Sequence, residues 1–178
     1  RTRVVPMGIA TLACALKDNY KEQVSTKLFV YPEKIFKEIE KSPPDIIALS
    51  NYIWNSKLSL KILKEVKKNY PKTITIMGGT HCRTDSEGLK AFLKKNPFVD
   101  GYIPIEAENP FVNLVGECLK HNSVELQKLN NIEWTYLNKE SYIFKKLLPK
   151  SSETKIKYNS DYYTINQFSS PYLNGMLD

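Results

Sequence analysis

The chain has 178 residues, enough for one domain with an appendage and too few for two full domains. Apolar residues make up 42% and charged residues 25%, near the averages of globular domains, which excludes a fibre and a wholly disordered chain. The net charge is +7, yet every basic residue except Arg1, Arg3 and Arg83 is a lysine, and the lysines are spread over several helix faces, which speaks against a nucleic-acid partner.

Pro6 stands where a helix can begin, and Ile9, Leu12, Ala13 and Leu16 share one helical face. Val24–Val30 reads as a strand, stopped by Tyr31-Pro32. Ile35, Phe36 and Ile39 predict a short helix, closed by Ser42-Pro43-Pro44. Asp45–Ser50 is a short, nearly unbroken apolar run, the pattern of a strand buried on both faces. Ile62, Leu63, Val66 and Tyr70 mark the next helix, ended before Pro71. Thr73–Met77 is a second buried strand, followed at once by Gly78-Gly79. Leu89, Phe92 and Leu93 form a helical stripe, and Val99–Ile105 is a third buried strand. Phe111, Leu114, Val115, Cys118 and Leu119 complete a helix.

Strand and helix alternating through short links predict an α/β fold, a flavodoxin-like doubly wound parallel sheet. Such units begin on a strand, whereas this chain opens on a helix, so the expectation is a first strand upstream of Arg1. The opening residues have neither the layout of a signal peptide nor an initiator Met, which reads as a piece of a longer protein. The α/β domain is expected over residues 1–122. Ile132–Tyr136 and Tyr142–Phe144 then read as a β-hairpin within 123–148, and the polar residues 149–178 as a linker. No apolar run is long enough to span a bilayer, so no membrane partner is expected. Cys14, Cys82 and Cys118 lie far apart with no C-x-x-C. That pattern predicts neither a disulfide scaffold nor a metal site in this segment, and it fits a reducing cytoplasm.

Open α/β sheets bind ligands beyond the carboxyl ends of their strands, so the residues there are the candidates. Gly78-Gly79 removes two side chains where a strand ends, either to let a ligand pass close to the sheet or to make a tight turn. The Ser50 hydroxyl can bond a ligand or cap the next segment. Tyr52 and Trp54 can flank a flat cofactor or pack at a lip. His81 is placed for ligand contact, while His121 ends a helix and meets its dipole. Glu106 and Glu108 follow a strand end, suited to acid–base work or to a helix N-terminus. No G-x-G-x-x-G, phosphate-loop or G-x-S-x-G motif is present.

The spacing of these residues resembles the cobalamin (B12)-binding domain family and its pattern D-x-H-x-x-G, S-x-L, G-G. Gly8 is followed by 41 residues and Ser50, and Ser50-Asn51-Tyr52 by 25 residues and Gly78-Gly79. The Asp, His and Leu positions hold Arg3, Val5 and Tyr52. Pro6-Met7-Gly8-Ile9-Ala10, Gly78-Gly79-Thr80-His81, Val99-Asp100-Gly101-Tyr102, Glu106-Ala107-Glu108 with Phe111, and the tail from Ser169 resemble the N-terminal domain of B12-dependent radical S-adenosylmethionine enzymes. The C-x-x-x-C-x-x-C motif of that family's iron–sulfur cluster is absent from the chain.

The resemblance implies a domain that holds base-off cobalamin for methyl transfer or a related radical reaction. It also implies a downstream radical domain using S-adenosylmethionine and a 4Fe–4S cluster. By position, the implied cofactor-binding residues are Val5, Pro6, Met7, Gly8, Ser50, Asn51, Tyr52, Ile53, Trp54, Gly78, Gly79, Thr80, His81 and Glu106, with no catalytic or metal-ligating residue. Gly78 and Gly79 would clear a path for the nucleotide tail, Ser50 would bond it, and Tyr52–Trp54 would cover the corrin. A nucleotide-sugar-binding domain and a flavodoxin-like signalling module are the alternatives.

Overall fold

Pro6 accepts the Ala10 amide on its carbonyl (3.1 Å) and leads into the first helix, α1 (Met7–Tyr20), in the computed structural model of the chain. Residues 6–83, 85–104, 106–122, 125, 129, 132, 135–138 and 171 are described. They fall into two compact units, one holding the described residues up to Val30 and Pro171, the other those from Tyr31 to Asn138.

In the first unit, Ala10, Ala13, Cys14, Ala15 and Leu16 of α1 are buried, and a short 3-10 turn follows at Lys21–Gln23. Val24–Val30 forms no strand, contrary to its β-rich composition. Val24 is extended (φ −128°, ψ 123°), but a strand also needs a neighbour for its backbone ladder, and no described residue supplies one.

The second unit runs α2 (Pro32–Lys41), β1 (Ile46–Ser50), α3 (Ser56–Asn69), β2 (Ile74–Gly78), α4 (Ser86–Lys95), β3 (Gly101–Ile103), α5 (Glu108–Lys120) and β4 (Tyr136–Leu137). Its sheet has the order β1-β2-β3-β4, the first three parallel and β4 antiparallel to β3. The helices fall where the apolar spacing predicts. Helix α3 packs on β1 and α4 on β3, burying Ile62, Leu63 and Val66 of the one and Leu89 and Leu93 of the other. Helix α5 buries Phe111, Leu114, Val115 and Cys118.

Strand β3 is buried along its length and β2 as far as Met77, but β1 is not: only Ile47 is buried. The expectation of burial on both faces fails there because β1 is the edge of the described sheet. Strand β3 is also shorter than its apolar run, since Pro104 has no N–H to continue the ladder. Of the expected first hairpin arm, Ile132–Tyr136, only Tyr136 falls in β4, which pairs with β3, and the second arm lies outside the described residues. Asn138 secures β4 by donating from its backbone to Asp100 O (2.7 Å) and from Nδ2 to Leu93 O and Val99 O.

Around the amino ends of β2 and β3, a buried Asp100 carboxylate accepts from Lys67 Nζ (2.5 Å), the Thr75 amide (2.8 Å) and the Thr75 hydroxyl (3.0 Å). These bonds tie α3, β2 and β3 together away from the strand ends where the candidate residues stand. No described helix is long and apolar enough to cross a membrane.

Candidate functional site

Parallel pairing brings three carboxyl ends together, because Ser50 is in register with Gly78, and Gly78 with Ile103. The chain just beyond them is held by its own backbone. Asn51 N donates to Gly78 O (2.6 Å), His81 N to Asn51 O (3.2 Å), and Gly79 N to Ile103 O (3.2 Å).

Gly79 lies at the centre of this weave with φ +125°, a conformation L side chains rarely adopt. A Cβ at Gly79 would stand 2.7 Å from the Asn51 carbonyl oxygen, and one at Gly78 would stand 3.0 Å from Ile103 O. The Gly-Gly pair is thus required first by the close approach of the protein's own strand ends.

Beneath the turn, Tyr102 of β3 is fully buried and packs edge-to-face on Phe92 of α4, ring centroids 5.2 Å apart. Its hydroxyl donates to Gly79 O (2.8 Å) and accepts from Asn51 Nδ2 (2.9 Å). Burial pushes the phenol far above its ordinary value, so it stays a neutral donor. Because its single proton goes to Gly79 O, the Asn51 amide must present its NH2 side to the phenol. Asn51 Oδ1 is then left buried with no hydrogen-bond partner among the described residues. In the sequence Tyr102 stands only within a stretch of family resemblance, with no role of its own. The available signal was chemical: a tyrosine in a fully buried strand needs a partner for its hydroxyl.

Ser50 is half-buried, and its Oγ accepts from Asn55 Nδ2 (2.8 Å), while Asn55 Oδ1 accepts from the Tyr52 amide (2.8 Å). Ser59 Oγ adds a bond to Ser50 O (2.9 Å). Asn55, which spacing did not single out, therefore shapes the β1–α3 loop. That loop lifts Ile53 and Trp54 into solvent, each more than three-quarters exposed. Tyr52 and Trp54 stack on one another at 4.9 Å and 13°. They cannot flank a flat group between them, since no ring fits in that gap. Together they form one slab that can cover a single face.

Thr80, His81 and Glu106 are exposed beyond the strand ends, and Cys82 is half-buried. Burial first, and then the Asp85 charge, raise the Cys82 thiol above its ordinary value, which leaves it protonated at neutral pH. Glu108 occupies the first turn of α5, where a carboxylate meets the helix's positive end. His121 follows the last turn of that helix, its Nε2 3.5 Å from Glu117. Pro6, Met7 and Gly8 open α1 in the first unit, with Met7 and Gly8 exposed. Val5 lies outside the described residues. No group of three or more His, Cys, Asp or Glu among the described residues is arranged to hold a metal ion.

A family model described as the B12 binding domain matches residues 1–115. A cobalamin-dependent radical SAM methyltransferase, TokK, of Streptomyces tokunonensis is 39% identical over 76 residues, 43% of this chain and 11% of that protein. A 2-(S-pantetheinyl)-carbapenam-3-carboxylate methyltransferase of Streptantibioticus cattleyicolor is 36% identical over 76 residues, again 43% of this chain and 11% of that protein. The similarity therefore spans about a ninth of each relative's length.

Proposed function

This chain belongs to the B12-binding domain family, and on that premise we propose that the carboxyl ends of β1, β2 and β3 hold base-off cobalamin for a radical S-adenosylmethionine enzyme. The observation that carries the placement is a buried acceptor without a donor, Asn51 Oδ1, set among the strand ends next to an exposed aromatic slab. An amphipathic ligand with a broad ring and a slender polar arm suits both features. The Tyr52–Trp54 slab and Ile53 cover ring surface and exclude water from one face. The arm would run past the Gly78-Gly79 turn, whose side-chain positions the protein's own carbonyl oxygens already fill. Ser50, whose oxygen already accepts from Asn55, keeps its own proton free to donate. Thr80, His81 and Glu106 stand at the solvent edge for the ring's polar amides.

When bound, cobalamin supplies a cobalt centre able to carry a methyl group or an electron. The protein contributes orientation and access. The two relatives are methyltransferases by name, which supports methyl transfer as the reaction of the complete protein. That reading requires a segment with C-x-x-x-C-x-x-C, a 4Fe–4S cluster and S-adenosylmethionine elsewhere in the same polypeptide, in the cytoplasm. The same reading places a strand from upstream of Arg1 on the free edge of β1.

The test is a titration with hydroxocobalamin, followed by visible absorbance and by retention on ultrafiltration, with nucleotide sugars as the competing ligand class. Saturable binding of hydroxocobalamin alone is expected. Binding of the nucleotide sugars instead would overturn the assignment. In the Co(II) form, electron paramagnetic resonance should show no axial-nitrogen splitting, since Arg3 and Val5 occupy the positions of the family's Asp and His. Splitting that disappears in His81→Ala would make His81 the ligand.

A further inference from the structure

Tyr102 is a buried phenol that nothing in the proposed binding scheme uses, yet every polar bond it makes ends on the chain that forms the turn. Its hydroxyl donates to Gly79 O (2.8 Å) and accepts from Asn51 Nδ2 (2.9 Å). One oxygen atom thus joins the segment after β1 to the segment after β2. The ring is held from below by Phe92, so the hydroxyl has little freedom to follow a moving loop. The Asn51 amide is oriented by this bond, and that orientation leaves Asn51 Oδ1 as an acceptor with no described donor. Fully buried acceptors are rarely left unmet in a finished site.

We infer that Tyr102 is a positioning residue for the ligand's tail. Its hydroxyl fixes the Gly79 turn and aligns Asn51 Oδ1 to accept from a hydroxyl or N–H on the slender arm. The slab at Tyr52 and Trp54 reads the ring by stacking, and among the described residues no hydrogen bond joins its side chains to Tyr102. The inference rests on the cobalamin reading, and it divides recognition into two separable parts.

The experiment compares cobalamin with cobinamide, which keeps the corrin but lacks the nucleotide tail, in the full-length protein. In Tyr102→Phe, with folding verified by thermal unfolding, hydroxocobalamin affinity should fall about tenfold, the loss of roughly one good hydrogen bond. Cobinamide affinity should stay within about twofold of the parent, because that ligand lacks the tail that Asn51 Oδ1 would meet. Should Tyr102→Phe not fold, Asn51→Leu removes the acceptor while leaving the phenol, and the same selective loss is expected. Equal losses for both ligands would show a merely structural tyrosine and overturn the inference, as would no loss for either. Failure of the parent protein to bind both ligands would instead overturn the cobalamin reading itself.

Discussion

At Gly79 two demands meet, a φ of +125° and a carbonyl oxygen 2.7 Å from where a Cβ would lie. Gly79→Ala should therefore lower stability by about 2 kcal/mol or more, whether or not ligand is present. The midpoint of urea unfolding measures this, and an unchanged midpoint would contradict the strain. For the same reason, loss of cobalamin binding in a Gly79 variant does not separate a blocked tail path from a distorted turn, whereas Tyr102→Phe does. Asp100 is the other residue on which several elements depend. It is buried and bonded to Lys67, the Thr75 amide and the Thr75 hydroxyl, so Asp100→Ala strips the Lys67 ammonium of its counter-charge and the Thr75 amide of its acceptor, while Lys67 keeps Thr73 O and the Thr75 hydroxyl keeps Phe98 O. A loss of about 3 kcal/mol is expected, by the measured cost of breaking part-buried pairs. A loss no larger than that of an exposed ion pair, such as Lys41 with Glu38, would show that Lys67 finds water instead.

Two loops are shaped by side-chain hydrogen bonds and not by core packing. The β1–α3 loop is built from Asn55 bonds and ends in exposed rings, so Trp54→Ala should leave stability within about 0.5 kcal/mol of the parent. Cobalamin affinity should fall about tenfold, for a stacked aromatic face removed from a ligand. Equal affinities of parent and variant would mean that the slab serves some other surface. At the start of α4, Asp85 is the capping residue, its carboxylate accepting from Gly88 N (2.9 Å) and from Arg83 Nε (2.7 Å). The Gly88 amide, followed by Arg83, holds this carboxyl below the ordinary carboxylate range. A depressed acid contributes its stability fully above its unfolded value and loses it as pH falls through the folded one. The protection of α4 amides against hydrogen exchange should therefore decline below about pH 4 in the parent, and the difference from Asp85→Ala should shrink with it. A pH-independent difference would refute the assignment.

For the whole molecule, the open side of β1 is the feature with the widest consequence. Its inner edge pairs with β2 over Ile46–Ser50, while its outer edge has no partner strand among the described residues. An unpaired inner-type strand is a template for association. If a strand from upstream of Arg1 occupies that edge, β1 amides facing outward should exchange slowly in a protein that includes the upstream segment and quickly in one that starts at Arg1. Equally fast exchange in both would place the upstream segment elsewhere and overturn the proposed strand order.

Apolar periodicity located the helices α1 to α5, although in α1 the buried side is Ala10 with Ala13–Leu16 while Ile9 and Leu12 are half-buried, and in α5 Leu119 is exposed. It determined β2 and β3 as well, because strands buried on both faces read as continuous apolar runs. The same composition misread Val24–Val30 and overstated the burial of β1, since strand identity depends on which chains lie alongside, and that is not written locally. Spacing also located Ser50, Gly78 and Gly79, and the parallel register then set Ser50 beside Gly78, with Gly79 bonded to Ile103 O. Only tertiary structure decided what those residues do there. It stacked Tyr52 on Trp54, gave Gly79 a packing duty toward Asn51, and brought Tyr102, 51 residues away, into hydrogen-bond reach of Asn51. A bond between residues so far apart in sequence exists only once β2 lies between their strands, so no local pattern could announce it.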